Sequence, residues 1–172
     1  KADELPPSEL GRFVGSASLV GRSRNALARL FWGADMAYSV TGTAGNDTFT
    51  AWADRVVLTG AGYTNEARDF DNAKAFATAG GSDSATFYDT AGNDVFIAGW
   101  LRAVMAGAGY FNWAEGFDAS VAHATAGGYD SVEYYDSAGN DVLTAWSDRV
   151  TFSGTGFSHD ARGFERTKAF AT

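Results

Sequence analysis

The chain has 172 residues, with 21 glycines, 2 prolines, no cysteine, 15% aromatic side chains and a formal charge of -8. That length suits one sizeable core rather than two domains and a linker, and the charge sets most of the surface against nucleic acid and anionic membranes. The missing cysteine excludes disulfides, thiolate catalysis and Cys-ligated zinc, and no stretch approaches the roughly 18 uninterrupted apolar residues of a membrane span.

The first residues, Lys1-Ala-Asp-Glu-Leu-Pro-Pro7, do not form a signal peptide. Residues 1–40 resemble the rest of the chain only when slid by 39 positions. Leu19-Val-Gly21 then lies on Leu58-Thr-Gly60, and Ala28-Arg-Leu-Phe31 on Ala67-Arg-Asp-Phe70. They read as a degenerate first copy or N-terminal cap, with a short helical turn near residues 25–32.

From there the chain repeats itself without a gap. Ala-Gly-Asn-Asp occurs at Ala44–Asp47, Ala91–Asp94 and Ala138–Asp141, two steps of 47 residues. The same step aligns Arg55, Arg102 and Arg149, then Gly60, Gly107 and Gly154, then Phe70, Phe117 and Phe164. One domain of four copies is expected, divided as residues 1–40, 41–87, 88–134 and 135–172. The last copy stops before the Gly-Gly turn seen at Gly80-Gly81 and Gly127-Gly128, which points to a longer array.

Within a copy, four segments alternate with period two: residues 48–52, 55–60, 72–78 and 83–88. Phe49/Phe96/Leu143 and Ala51/Ala98/Ala145 share one face, while the 56 and 58 columns are apolar between polar neighbours. Three connections are tight Gly- and Asx-bearing turns. The fourth, from Tyr63 to Phe70, reads as a longer flap packed over an edge. The expected fold is an all-β parallel β-solenoid in which equivalent residues one period apart stack in register. The alternative is a β-propeller-like meander. Whether 47 residues make one coil or two is left open by the pattern.

The Gly-Gly-x-Asp turns at Gly80–Asp83 and Gly127–Asp130, with the Gly-Asn-Asp turns and the alternating apolar residues after them, resemble the Gly/Asp-rich repeats of large exported bacterial surface proteins. They are also similar, at a longer period, to the RTX calcium-binding β-roll. The resemblance implies secretion or a cell-surface location, and Asp ligands for Ca²⁺ at such turns.

Several polar and aromatic columns are candidates for chemistry. Asp47, Asp89, Asn93, Asp94, Asp136, Asn140 and Asp141 place hard oxygen atoms on Gly-bearing turns, as calcium requires. The competing explanation is that they satisfy turn N–H groups. Trp52, Trp146, Tyr88 and Tyr135 form outward columns that could stack on sugar rings, or be covered by the long connection or a second subunit. The arginine column stacks like charges and calls for anionic partners. His123 and His159 fall in unrelated columns, no nucleophile has a base at meaningful spacing, and Gly-x-Ser-x-Gly is absent. The expectation is a non-catalytic structural or adhesive module whose partners are other copies of the repeat, self-associated chains or extracellular polysaccharide. A carbohydrate-binding module and a β-helical polysaccharide lyase or hydrolase are the alternatives.

Overall fold

A computed structural model describes residues 37–171. The degenerate first copy, apart from its last four residues, and the helical turn expected near residues 25–32 lie outside the described residues. The described chain is all β: β1 (Ala37–Thr41), β2 (Thr48–Ala51), β3 (Arg55–Gly60), β4 (Tyr63–Arg68), β5 (Asn72–Phe76), β6 (Ser84–Tyr88), β7 (Val95–Gly99), β8 (Arg102–Gly107), β9 (Tyr110–Glu115), β10 (Ala119–His123), β11 (Ser131–Tyr135), β12 (Val142–Ala145), β13 (Arg149–Gly154), β14 (Phe157–Arg162) and β15 (Arg166–Phe170).

These strands form two sheets, ordered β1-β5-β9-β8-β7-β11-β15 and β12-β13-β14-β10-β6-β2-β3-β4. The chain visits them alternately, as a β-solenoid of about 4 turns. Both sheets run the length of the coil, so the propeller alternative, with a separate sheet per blade, does not hold.

Each visit is a single strand, except that β2, β7 and β12 each open a three-strand antiparallel meander, β2-β3-β4, β7-β8-β9 and β12-β13-β14. The chain overshoots on entering a sheet. The hairpin then steps back, so that β9 pairs in parallel with β5 and β14 with β10. The flap expected from Tyr63 to Phe70 is therefore the strand β4. Its inward columns explain why alternation hid it: the middle one holds Asn65, Asn112 and His159, polar residues where an amphipathic strand should show an apolar one.

One 47-residue copy thus contains three sheet visits, or one and a half turns. Because three is odd, equivalent residues of successive copies fall on opposite sheets. The expected in-register stacking of positions 47 apart is corrected accordingly. Neighbours across parallel strands are 35 to 39 residues apart, as in Thr48↔Ser84, Ser84↔Ala119 and Asn72↔Phe111. The arginine ladder does not exist, since Arg55, Arg102 and Arg149 lie on alternating sheets.

Between the sheets lies one hydrophobic core. Its large members are Phe49, Phe87, Phe96, Tyr134, Phe152, Leu58 and Met105, set against alanines such as Ala51, Ala75, Ala98 and Ala122. The two-sheet alternation brings rings from unlike columns together: Phe87 meets Phe96 at 5.6 Å and Tyr134 stacks on Phe152 at 5.0 Å between centroids. Large beside small residues let the walls interdigitate at interior density.

Two buried polar groups bridge the sheets. Asn112 donates through Nδ2 to the Trp52 carbonyl at 2.9 Å. One copy later, His159 places Nε2 3.0 Å from the Gly99 carbonyl and Nδ1 2.6 Å from the Ser120 hydroxyl. A carbonyl only accepts, so Nε2 carries the proton and Ser120 donates to Nδ1. Burial drives the His159 pKa down to about 4 and favours this neutral form.

The unfolded chain therefore binds this proton first as pH falls. Stability from His159 is full above about pH 6.5, declines down to about 4, and amounts to about 3 kcal/mol over that window. Asp83 and Asp130, whose carboxyls burial pushes up, act in the opposite sense, so the informative quantity is a difference. His159→Asn installs the residue this column already uses at Asn112. Denaturant titrations across that window should show wild type losing more stability than the variant on acidification. Parallel curves would mean that His159 does not carry the proton linkage.

Candidate functional site

The polar motifs gather at the corners, where the chain passes between sheets. In the Thr43–Asp47 turn, Asp47 folds back to accept the Thr43 N–H at 2.5 Å and the Tyr63 hydroxyl at 2.6 Å. Asp94 does the same with the Thr90 N–H and hydroxyl, both at 2.8 Å, and with Tyr110 at 3.0 Å. Asp141 accepts the Ser137 N–H and hydroxyl, but faces Phe157 where the other copies have tyrosine. The Thr or Ser hydroxyl also accepts the glycine N–H two residues on, at 3.1 to 3.3 Å. The turn is closed by its own side chains.

This arrangement accounts for the Gly60, Gly107 and Gly154 column. A Cβ on any of them would run into the carboxylate of Asp47, Asp94 or Asp141 and the ring of Tyr63, Tyr110 or Phe157.

The second glycine motif stacks on the first. The side-chain Oδ1 of Asn46 accepts the Ser82 N–H at 2.8 Å, and that of Asn93 accepts the Tyr129 N–H at 2.9 Å. Gly81 and Gly128, at φ 119° and 117°, press against the backbone of Gly45 and Gly92, where a side chain would not fit. An Ala-Gly-Asn-Asp turn is thus the seat of the Gly-Gly-x-Asp turn of the next coil.

Acids line the corner in a chain of charge-assisted hydrogen bonds. The Asp47 N–H donates to Asp83 and the Asp83 N–H to Asp118, both at 2.7 Å. In the next copy, the Asp94 N–H donates to Asp130 at 2.7 Å and the Asp130 N–H to Glu165 at 2.6 Å. Burial works to raise the Asp47 pKa, but hydrogen bonds from Tyr63 and Thr43 outweigh it and hold the group below its usual value. Burial, with the Asp47 carboxylate, pushes Tyr63 up to about 12. Stacked like charges are tolerable here because each accepts an N–H, Asp47 and Asp94 from their own turns and Asp83, Asp118, Asp130 and Glu165 from the coil below.

The seven residues expected to bind calcium are thereby located. Asp47, Asp94 and Asp141 close turns, Asn93 holds the next coil, and Asp89 accepts the Ala126 N–H at 2.8 Å. Asp136 donates its own N–H to the Phe170 carbonyl. Asn140 occupies in the last turn the place that Asn46 and Asn93 hold in theirs. Among the described residues no group of three or more His, Asp or Glu side chains converges as a metal would need.

The aromatic candidates form a ridge on the outside of the eight-stranded sheet. Tyr88 lies between Trp52 and His123, with centroids 5.2 and 5.1 Å apart and planes 6° and 13° from parallel. Arg55 sits 3.9 Å over the free face of Trp52, and Arg149 lies 5.4 Å from the Trp146 ring. Asp160 accepts from both Arg149 and Arg162 at 2.9 and 2.7 Å. On the other sheet Tyr135 stacks on Phe170 at 4.8 Å. The rings face one another, so the faces of Trp52 and Tyr88 are already occupied, while Trp146 is 53% exposed. A period of 47 aligns Trp52 with Trp146 and Tyr88 with Tyr135 and so hides this ridge, whose pairs lie 35 or 36 residues apart.

Compared with known proteins, the chain matches no family model, no curated protein and no solved structure. The class defined by fold and corner geometry is a two-sheet β-solenoid with a hairpin in every one and a half turns.

The corner geometry has a measurable consequence. Asp94→Ala strands the Thr90 N–H and the buried Tyr110 hydroxyl, and should cost about 3 kcal/mol in denaturant unfolding. Asp141→Ala, at a half-buried turn facing Phe157, should cost about 1 kcal/mol. Equal losses would contradict the role given to the tyrosine.

Proposed function

We propose that the chain is a non-catalytic structural or adhesive repeat module of a secreted or cell-surface bacterial protein. The observation that carries this reading is the employment of its recurring acids. In each complete copy, the Asp and Asn side chains of the turns bind backbone of their own coil or the next one. Residues spent in this way on every copy serve to extend a rod. Catalysis would need one place where the symmetry is broken and an acid or base is left to act.

Calcium has the same residues as its candidates. The oxygens of Asp47, Asp89, Asn93, Asp94 and Asp141 already accept N–H or O–H groups, which supports hydrogen bonding in the role that a cation fills in the RTX roll. A ligand bound only by the folded state raises the unfolding temperature. The expected result is therefore one thermal midpoint in about 5 mM calcium and in chelator. A rise with calcium would reinstate the metal.

Carbohydrate binding has less support than the module reading, because the ring faces of Trp52 and Tyr88 cover each other; Trp146 and Tyr135, 53% and 42% exposed, are the candidates left partly open. Binding assays on acidic and neutral polysaccharides should give neither turnover nor a loss of retention on Trp52→Ala or Trp146→Ala. Hydrolysis, or tenfold weaker binding by either variant, would replace the reading with an enzyme or a lectin-like module.

A further inference from the structure

The middle copy departs from its neighbours on its outer face. Six side chains of β7, β8 and β9 point away from the core, Val95, Ile97, Val104, Ala106, Phe111 and Trp113, and all of them are apolar. At the equivalent positions the first copy carries Thr48, Thr50, Thr59, Thr64 and Glu66 beside Val57, and the third carries Thr144, Thr151, Ser153, Ser158 and Asp160 beside Val142. Hydroxyls and acids therefore serve the fold at these places, as on an ordinary solvated sheet face. The hairpin tip changes in the same sense, from Ala53-Asp54 and Ser147-Asp148 to the exposed pair Trp100-Leu101.

The odd number of sheet visits decides where this set lands. The meander of the middle copy lies in the seven-stranded sheet and the other two lie in the eight-stranded sheet, so the apolar residues gather at the centre of one wall. Val104, in their midst, is 3% exposed although it faces away from the core, because Trp113 and Ile97 flank it. Among the described residues no further layer covers this wall. A contiguous apolar surface of this kind marks a site of association.

Charge selects the occupant. The chain carries -8, yet on the outward positions of β5, β7, β8, β9 and β11 two bases, Lys74 and Arg102, offset two acids, Glu115 and Glu133. The pairing registers set one row across the wall in the order Lys74, Trp113, Val104, Ile97, Glu133. Base and acid thus stand at equal distances on either side of Val104. Lys74 has its ammonium 5.4 Å from the Trp113 ring and pairs with no carboxylate among the described residues. Glu133 holds Lys168 through Oε1 at 2.5 Å, while its Oε2 lies 3.4 Å from the Tyr135 hydroxyl and has room for a stronger donor.

We infer that this wall binds a second copy of the chain face to face, about a two-fold axis running along β8. The inference deepens the structural-module reading, naming its mode of self-association, and rests on it. Such an axis lays β5 of one copy over β11 of the other and keeps each residue at its own height along the strand. Lys74 then faces Glu133 of the second copy, Trp113 faces Ile97 and Val104 faces Val104. One row away, Asn72 faces Ser131, Phe111 faces Val95 and Ala106 faces Ala106. Rings meet smaller aliphatic side chains on both flanks and small residues meet on the axis, as interdigitating faces require. In the row on the other side, Arg102 falls on the axis beside Glu115, and Gly99, with no side chain, faces Glu115 and leaves room for both.

An axis across the strands would instead set Lys74 on Lys74 and Glu133 on Glu133. A lipid surface offers no fixed acid for Lys74. Five strands of about five residues make a face of roughly 24 by 17 Å, or about 800 Å² over both copies, the size of a weak contact.

Sedimentation equilibrium on the full-length protein tests the inference. The average mass should rise from the 18.1 kDa of one chain toward twice as much between about 5 and 500 μM. Ile97→Thr combined with Trp113→Glu gives the wall the residues that the first copy carries at those places. It should leave far-ultraviolet circular dichroism unchanged and weaken the dimer at least about tenfold. Lys74→Glu and Glu133→Lys should each weaken it about tenfold, and an equimolar mixture of the two should associate like wild type, because the heterodimer restores both ion pairs.

Wild type that stays at the mass of one chain overturns the proposal, whether or not it sediments with phosphatidylcholine vesicles as a lipid-binding wall would. So does a dimer that the Ile97→Thr, Trp113→Glu variant keeps, which would use another surface, or one whose single charge variants match wild type, which would have the other axis. Each of these results leaves the module reading standing, whereas turnover on a polysaccharide would remove that reading without changing the sedimentation result.

Discussion

Three sheet visits in every 47-residue copy, an odd number, force the chain to place like residues on opposite walls. Each strand must then be compatible with neighbours of different type above, below and across. The consequences appear throughout the core: Phe87 of one column packs on Phe96 of another, and Ala75 sits between Val40 and Ala114 rather than among the other alanines of its own column. Such a coil keeps a charged column from stacking on itself, which a simple one-turn repeat would do; the like charges that do adjoin, such as Asp47, Asp83 and Asp118, come from different columns.

The meander leaves that parity unchanged, because it adds two strands to one visit and no visit to the copy. A chain that advanced by one strand per visit would leave no room for β8 and β9. By overshooting and folding back, it inserts two antiparallel strands and still closes against β5. The reversal rests on small details: Gly62, Gly109 and Gly156 at φ near 80° turn the hairpin, and the preceding glycine column clears a path for the turn-closing aspartate. Corner acids then fasten coil to coil through N–H groups that would otherwise be buried without a partner.

The sequence made much of this legible. Self-alignment located the copies, alternation located β2, β3, β5 and β6, and the two glycine motifs located the turns. What it hid has two physical causes. Asn112 and His159 face inward in place of apolar residues, so β9 and β14 lost the signature of a strand and the hairpin read as a flap. Without that extra strand the number of sheet visits could not be counted, and neighbours were sought 47 residues away instead of 35 to 39. The candidate site suffered accordingly. The acids at Asp47 and Asp94 were found, but their partners at Asp83 and Asp130 belong to the other turn motif and lie 36 residues on. Trp52, Tyr88 and His123 were each noticed, yet only the true register puts them in one stack.

Amide and ring nuclear Overhauser effects test the parity of the coil most directly. The account predicts contacts from Thr48–Ala51 to Ser84–Tyr88, including the Phe49 and Phe87 rings at 6.1 Å, and none between the backbones of Thr48–Ala51 and Val95–Gly99. Backbone contacts between those last two segments, which are equivalent in sequence, would put successive copies on the same sheet and contradict it.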